Sequence, residues 1–196
     1  MPLDPDIIRK LRQEISFIET LKGRQLHFRT TWGLFSPKAI DEGTRLLLEH
    51  LEVESDDRAI DLGCGYGPIG LTIAALASQG NVLMVDKDFV AVEYANRNAE
   101  LNHLHNAKAM LSDGLKHIGK KKFTLAVTNL PAKTSNEHYY LFFQDIYEHL
   151  EPGGRFYVVV ISGLRNFIKR AFNEVFGNHK KIKQGKSYTV AMAVKK

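Results

Sequence analysis

The segment RAIDLGCGYGPIGLTIAAL, residues 58–76, constrains the fold more than any other part of the chain. A short apolar run carrying one carboxylate, Asp61, breaks into Gly63, Gly65 and Gly67, and a long apolar stretch then opens at Pro68. Glycine lets a backbone reverse sharply and approach a ligand closely, and proline is tolerated in the first turn of a helix because the N–H it lacks has no helical partner. The segment therefore predicts a strand, a tight turn and a helix, the first half of a parallel βαβ unit.

The alternation continues along the chain. Short apolar runs at 58–62, 81–86, 106–110, 123–129 and 154–161 predict strands, with helices expected over about 67–78, 88–102, 135–150 and 163–176. Runs of this kind, separated by helices, belong to a parallel sheet covered on both faces. The chain closes on an expected hairpin, 180–184 and 187–194 about Gly185, whose second strand is apolar or small on both faces and so belongs inside the sheet. Near the other end, Asp4 and Pro5 read as a cap and first turn, and Ile7, Ile8, Leu11, Ile15, Ile18 and Leu21 recur at helical spacing. This predicts an amphipathic helix over 4–21, stopped by Gly23 and docked on the rest of the protein. Residues 25–30 alternate as a strand exposed on one face, and 37–50 read as a second helix. No repeat, low-complexity stretch or linker divides the 196 residues, so one domain is expected, with 1–50 packing on a core of 51–196.

Composition narrows the class. A hydrophobic fraction of 44% with 25% charged residues is that of a soluble globular protein. The longest strongly apolar run, 156–161, falls far short of the roughly 20 residues that span a bilayer, and MPLDPD is not a signal peptide, so a cytoplasmic protein with no membrane partner is expected. The single cysteine, Cys64, excludes an intrachain disulfide and a multi-cysteine metal site; it has no partner base in the sequence and reads as a small side chain in a tight turn. His103 and His105 lie in a connection without a neighbouring acidic cluster, and no metal is expected. The net charge of +5 and the lysines at 120–122 and at Lys180, Lys181, Lys183, Lys186, Lys195 and Lys196 fit either solvated turns and edges or a face for a polyanion.

The glycine turn admits two nucleoside cofactors. Gly65, Gly67 and Gly70 have the G-x-G-x-x-G spacing of a dinucleotide site, but Asp61 at the strand end would repel a pyrophosphate, and Pro68 removes a donor that a pyrophosphate needs. A sulfonium nucleoside bearing an ammonium group, S-adenosylmethionine (SAM), meets neither objection. Asp86, ending the second predicted strand, is placed to accept both hydroxyls of a ribose, and Asp113, in Ser112-Asp113-Gly114, to accept from an adenine amino group. After residue 153 the chain offers a strand, a helix and a hairpin rather than the second mononucleotide half of a dehydrogenase.

Taken together, these residues resemble the class I SAM-dependent methyltransferases, and among them the small-domain group that includes ribosomal RNA guanine-N2 methyltransferases. The likeness covers about residues 25–196 and rests on Gly33-Leu34-Phe35-Ser36, Asp41-Glu42-Gly43-Thr44, Asp61 through Gly70 with Asp86, Thr128-Asn129-Leu130-Pro131 and Leu150-Glu151-Pro152-Gly153-Gly154. The resemblance implies a Rossmann-like α/β fold: a seven-stranded sheet, mostly parallel with an antiparallel C-terminal hairpin strand, and helices on both faces. It implies SAM, released as S-adenosylhomocysteine, at the carboxyl ends of the strands, held by Asp61, Gly63, Cys64, Gly65, Gly67, Asp86, Lys87, Ser112, Asp113 and Asn129. It also implies Asn129, Leu130 and Pro131 as catalytic residues, Phe35, Ala132 and Lys133 on the substrate, and RNA or a ribosomal particle as partner.

Methyl transfer is an in-line displacement, so the task is to aim a nitrogen lone pair at a methyl carbon. The Asn129 side-chain oxygen and the carbonyl of Leu130 are expected to accept the two hydrogens of an exocyclic amine and stabilise the charge developing on nitrogen. The family has Asn-Pro-Pro and often an aromatic here. Leu130 takes the place of the first proline, Pro131 keeps its predecessor extended, and Ala132 brings no stacking ring, for which Phe35, Trp32 and Tyr139 are the candidates elsewhere. Those departures keep a protein amide or small-molecule acceptor, and a non-catalytic SAM-binding module, as alternative readings.

Overall fold

The computed structural model describes residues 13–130 and 136–196. In chain order these form β1 (Glu14–Leu21), β2 (Arg24–Thr31), α1 (Glu42–His50), β3 (Arg58–Leu62), α2 (Pro68–Leu76), β4 (Asn81–Asp86), α3 (Phe89–Leu101), β5 (Ala107–Leu111), β6 (Phe123–Asn129), α4 (Asn136–His149), β7 (Leu150–Ile161), α5 (Arg165–Phe176), β8 (Lys180–Gln184) and β9 (Tyr188–Val194). Seven strands form one sheet in the order β5-β4-β3-β6-β7-β9-β8. The first five in that order are parallel, while β9 runs antiparallel to both β7 and β8. The terminal hairpin thus places β9 in the interior, as its two apolar faces require.

Alternation along each strand divides the core. Ile60, Leu62, Phe156 and Val158 face α4 and α5, where Phe143 and Phe172 meet edge to face with ring centroids 5.2 Å apart. Ala59, Val127, Tyr157 and Val159 face α1, α2 and α3 on the other side. Strand direction and order put the carboxyl ends of β3, β4 and β6 together. The chain order reverses between β3 and β6, the crevice where open α/β sheets bind ligands.

The first element corrects the sequence expectation. Residues 14–21 are not the end of a helix but strand β1, paired in register with β2 from Glu14 opposite Thr31 to Leu21 opposite Arg24. Lys22 (φ 48) and Gly23 (φ 75) form the two-residue turn, and both positive φ values fit the primed hairpin turns. The remainder of the expected helix, 4–12, lies outside the described residues. Asn98 in α3 and Asn102 at its C-cap hold the hairpin. Asn98 Oδ1 accepts from the Arg29 N–H at 2.7 Å while its Nδ2 donates to the carbonyls of Arg29 and Tyr66, and Asn102 repeats the two-way exchange with His27. The second expected helix begins at Glu42 rather than 37, because the Asp41 carboxylate caps it by accepting from the Gly43 and Thr44 amides.

Candidate active site

A cavity of about 200 Å³ opens at the carboxyl ends of β3, β4 and β6 and is closed by the first turns of α4. Gly63 lines it with φ +69, and a methyl group built there would meet nothing within 4 Å. Bare backbone therefore forms that wall. The turn behind it has few donors left to offer: the Gly63 and Cys64 amides donate to the Val85 carbonyl, the Gly65 amide to Asp86 Oδ2 at 2.9 Å, the Gly67 amide to the Cys64 carbonyl and the Gly70 amide to Asp61 Oδ2 at 2.8 Å. Pro68 has no N–H at all. A pyrophosphate would find these five amides committed, whereas a cationic ligand asks for none of them.

The committed amides, rather than the charge of Asp61, disfavour a pyrophosphate here. That side chain does not face the cavity; it is fully buried beneath the turn, and burial, opposed by the Gly70 amide and reinforced by the charge of Asp86, pushes its carboxyl up to about 7. A group only about half ionised at neutrality and shielded from solvent is a poor repellent of anions. Asp61 instead braces the turn: a methyl group on Gly70 would lie 3.1 Å from Asp61 Oδ2 and 2.5 Å from Met84 Cγ, so only glycine lets α2 approach this closely. Asp61 Oδ1 is buried and, among the described residues, has no hydrogen-bond partner. Cys64, also expected at the cofactor, turns its side chain into the core, where burial pushes the thiol well above its ordinary range. Gly65 and Gly67 shape the turn without lining the cavity.

Asp86, Lys87, Ser112, Asp113, Asn129 and Leu130 do converge on the cavity. Asp86 accepts from the Gly65 and Asp88 amides, one on each oxygen, while Asp88 caps α3 through the Val90 amide. Each Asp86 oxygen keeps a second lone pair, the requirement for accepting a ribose diol. Ser112 is buried and bonds the Gly114 carbonyl at 2.8 Å, shaping the loop that presents Asp113, whose exposed carboxylate pairs with Lys116. Two carboxylates face one ammonium across the lining, a balance that suits a cation.

Asn129 ends β6 with its amide orientation fixed. Its Nδ2 donates to Asp41 Oδ2 at 2.7 Å and to Thr44 Oγ1 at 3.0 Å. A carboxylate only accepts, so the nitrogen must point at Asp41 and the oxygen must point away from it. Leu130 continues the extended backbone, its N–H donating to the Val159 carbonyl at 3.0 Å, in agreement with the conformation expected before proline. Pro131, Ala132 and Lys133 lie outside the described residues.

Residues 25–192 match the family model described as Methyltransferase small domain. The chain belongs to that family, and with it to the SAM-dependent methyltransferases. Among the proteins similar to this methyltransferase are the uncharacterized protein YbxB of Bacillus subtilis, 31% identical over 192 residues covering 96% of this chain and 94% of that one, and the ribosomal RNA large subunit methyltransferase G of Streptomyces avermitilis, 30% identical over 84% of this chain. The T. thermophilus 16S rRNA N2 G1207 methyltransferase (RsmC), solved in complex with AdoMet and guanosine, superposes with a TM-score of 0.84 at 27% identity over 93% of this chain. This methyltransferase spans about half the length of the last two, 44% and 51% respectively.

Of the stacking candidates, none of the three forms a free wall of the methyltransferase cavity. Tyr139 lines it but is 1% exposed, with its ring packed on Phe143 and Phe167. Phe35 and Trp32 are exposed on the turn that precedes α1, outside the lining, and Lys38 sits 4.7 Å over the Trp32 ring. The sequence reading missed three residues. Phe142, half-buried on α4, lines the cavity beside Gly114; Asp41 and Thr44 orient Asn129. Phe142 falls in a helical pattern that gave no sign of which face met a ligand, and Asp41 was visible only as part of the family-like Asp-x-Gly-Thr segment.

Proposed function

We propose that this enzyme methylates the N2 amine of guanine in ribosomal or other structured RNA, acting in the cytoplasm as a single methyltransferase unit in which residues 1–50 pack on the core. One observation carries the reading: the fixed Asn129 amide, whose nitrogen is consumed by Asp41 and Thr44 so that its oxygen is presented at the end of β6. An exocyclic amine needs two acceptors for its hydrogens and no strong base, and the Asn129 oxygen with the Leu130 carbonyl supplies that pair. Bound SAM supplies an electrophilic methyl carbon. Around it, Asp86 holds the ribose, Asp113 with Ser112 the adenine edge, Phe142 an adenine face, and the open backbone at Gly63 the methionine end. The similarity to a guanine-N2 RNA methyltransferase crystallised with guanosine supports the acceptor.

The test is Asn129→Ala assayed on labelled SAM with RNA from cells lacking the enzyme. SAM affinity measured by calorimetry should stay within a factor of about two while turnover falls by roughly 100-fold or more, the scale of one lost transition-state hydrogen bond. Equal loss of binding and turnover, or label that enters only protein, would refute the assignment.

A further inference from the structure

A second and larger cavity, about 430 Å³, lies between α5 and the β8-β9 hairpin, away from the cofactor site. Its floor is the end of β7 and the middle of β9; its rim carries Arg165, Asn166 and Lys169 from the first turns of α5, facing His179, Lys181 and Gln184. No carboxylate lines it. Arg165, Lys169 and Lys181 are exposed, and among the described residues none of them forms an ion pair. Arg165 spends one donor on the Ser162 carbonyl at 3.0 Å, and Lys181 reaches only Gln184 Oε1 at 3.5 Å. Further along α5, Glu174 is engaged by the Tyr140 hydroxyl. Burial first, and then the charges of Lys169 and Lys181, lower the pKa of His179, so both lysines act on the ring from the rim of the cavity. Three cations and several neutral donors thus converge on a concave, acid-free surface, the chemistry that recognises a phosphate.

Its placement ties it to the reaction. Val159 pairs with Asn129, Val160 with Thr189, and Thr189 with Gln184, so the cavity lies at the same end of the sheet as Asn129, two to three strands away. At about 4.8 Å per strand that is roughly 10 to 14 Å, within reach of a nucleotide adjoining one held at Asn129. Both cavities lie on the α4 and α5 side of the sheet.

We propose that this cavity receives a backbone phosphate of the substrate RNA flanking the target base, an inference that rests on RNA being the acceptor. The test is fluorescence anisotropy with a labelled guanine-containing hairpin RNA, comparing the wild type, the double variant Lys169→Gln with Lys181→Gln, and a control at the exposed Lys120→Gln with Lys121→Gln. The cavity variant should bind RNA roughly tenfold more weakly, as for a lost charge-assisted hydrogen bond, and its slope of log affinity against log salt should shrink by about 0.7 to 0.9 for the one phosphate released. Its melting temperature and SAM affinity should not change, and the control should move neither affinity nor slope to that extent. If the wild type binds no RNA, the RNA reading falls and this inference with it. If the wild type binds RNA and the cavity variant binds it equally well with an unchanged slope, the phosphate site alone is overturned. The same holds if inorganic phosphate shifts the His179 resonances while RNA binding is indifferent to the substitutions, since the cavity would then serve a free anion.

Discussion

The Asn129 side chain donates to Asp41 at 2.7 Å across 88 positions of sequence, joining the end of β6 to the cap of α1. Asp41 does two things with one carboxylate: it caps the helix through the Gly43 and Thr44 amides, and it decides which way the Asn129 amide faces.

The two roles separate on substitution. Asparagine caps a helix nearly as well as aspartate, but its amide can also donate, so Asp41→Asn no longer forces the Asn129 nitrogen toward it. Turnover should fall about 10- to 100-fold with the KM for SAM and the melting temperature almost unchanged. Asp41→Ala should add a stability loss of about 1 kcal/mol. Steady-state kinetics and thermal melts on both variants decide it; full turnover in Asp41→Asn would mean that Asn129 orients itself.

Asp61 gives the protein an inverted acid response. Its folded carboxyl titrates near 7, above the ordinary aspartate value of 3.8, because burial disfavours the charged form. The native state therefore holds this proton more tightly than the unfolded chain does. Between pH 4 and 7 its contribution to stability falls as pH rises, by at most about 1.4 kcal/mol per pH unit, and below that window the contribution is fully present. Asp61→Asn keeps an acceptor for the Gly70 amide and cannot ionise. Denaturant titrations of both proteins at pH 5, 6, 7 and 8 should show the variant gaining on the wild type up to pH 7 and levelling off by pH 8, and parallel curves would dispose of the raised carboxyl.

The sheet was legible because strands buried on both faces leave continuous apolar runs: β3, β4 and β6 begin and end where those runs do. The hairpin was not. Ile15, Ile18 and Leu21 satisfy a helical period while Ile15, Phe17, Glu19 and Leu21 satisfy a strand, and local pattern cannot choose between them. The choice is made by Asn98 and Asn102, 69 and 75 positions beyond the β2 residues Arg29 and His27 that they bind, which turn the edge of β2 into a docked one. Ile18, placed on the apolar stripe of the expected helix, is 54% exposed in the strand. The placement of Asp86 and Asp113 at the cavity was readable because strand ends and turns are local features. The burial of Asp61 was not, since it depends on α2 closing over the turn.

Phe142 should report on adenine alone. A ring lining the cavity next to Gly114 and Asp113 offers a stacking face worth about 1 to 3 kcal/mol, so Phe142→Ala should weaken SAM binding about 10- to 100-fold. Turnover at saturating SAM should be nearly unaffected, because a ring that stacks on adenine acts on cofactor binding and not on the displacement itself. Calorimetry with SAM and kinetics at saturation separate the two quantities; a loss confined to turnover would assign Phe142 to the acceptor instead.

The hairpin's dependence on Asn98 is open to a direct measurement. Asn98 is fully buried and makes three hydrogen bonds, to both backbone groups of Arg29 and to the Tyr66 carbonyl, so it holds β2 on α3 and touches the residue that follows Gly65. Alanine would leave those buried backbone groups unpaired, and at about 1 kcal/mol for each bond the expected loss is about 2 to 4 kcal/mol. Asn102→Ala, at a more exposed contact, should cost less. Because Tyr66 also donates to the Ser36 carbonyl at 3.2 Å, the turn carrying Phe35 should loosen with the hairpin. Hydrogen exchange should then show faster opening over 24–39 in Asn98→Ala with β3 to β6 still protected. Uniform loss of protection across the sheet would instead make the hairpin part of the global folding unit.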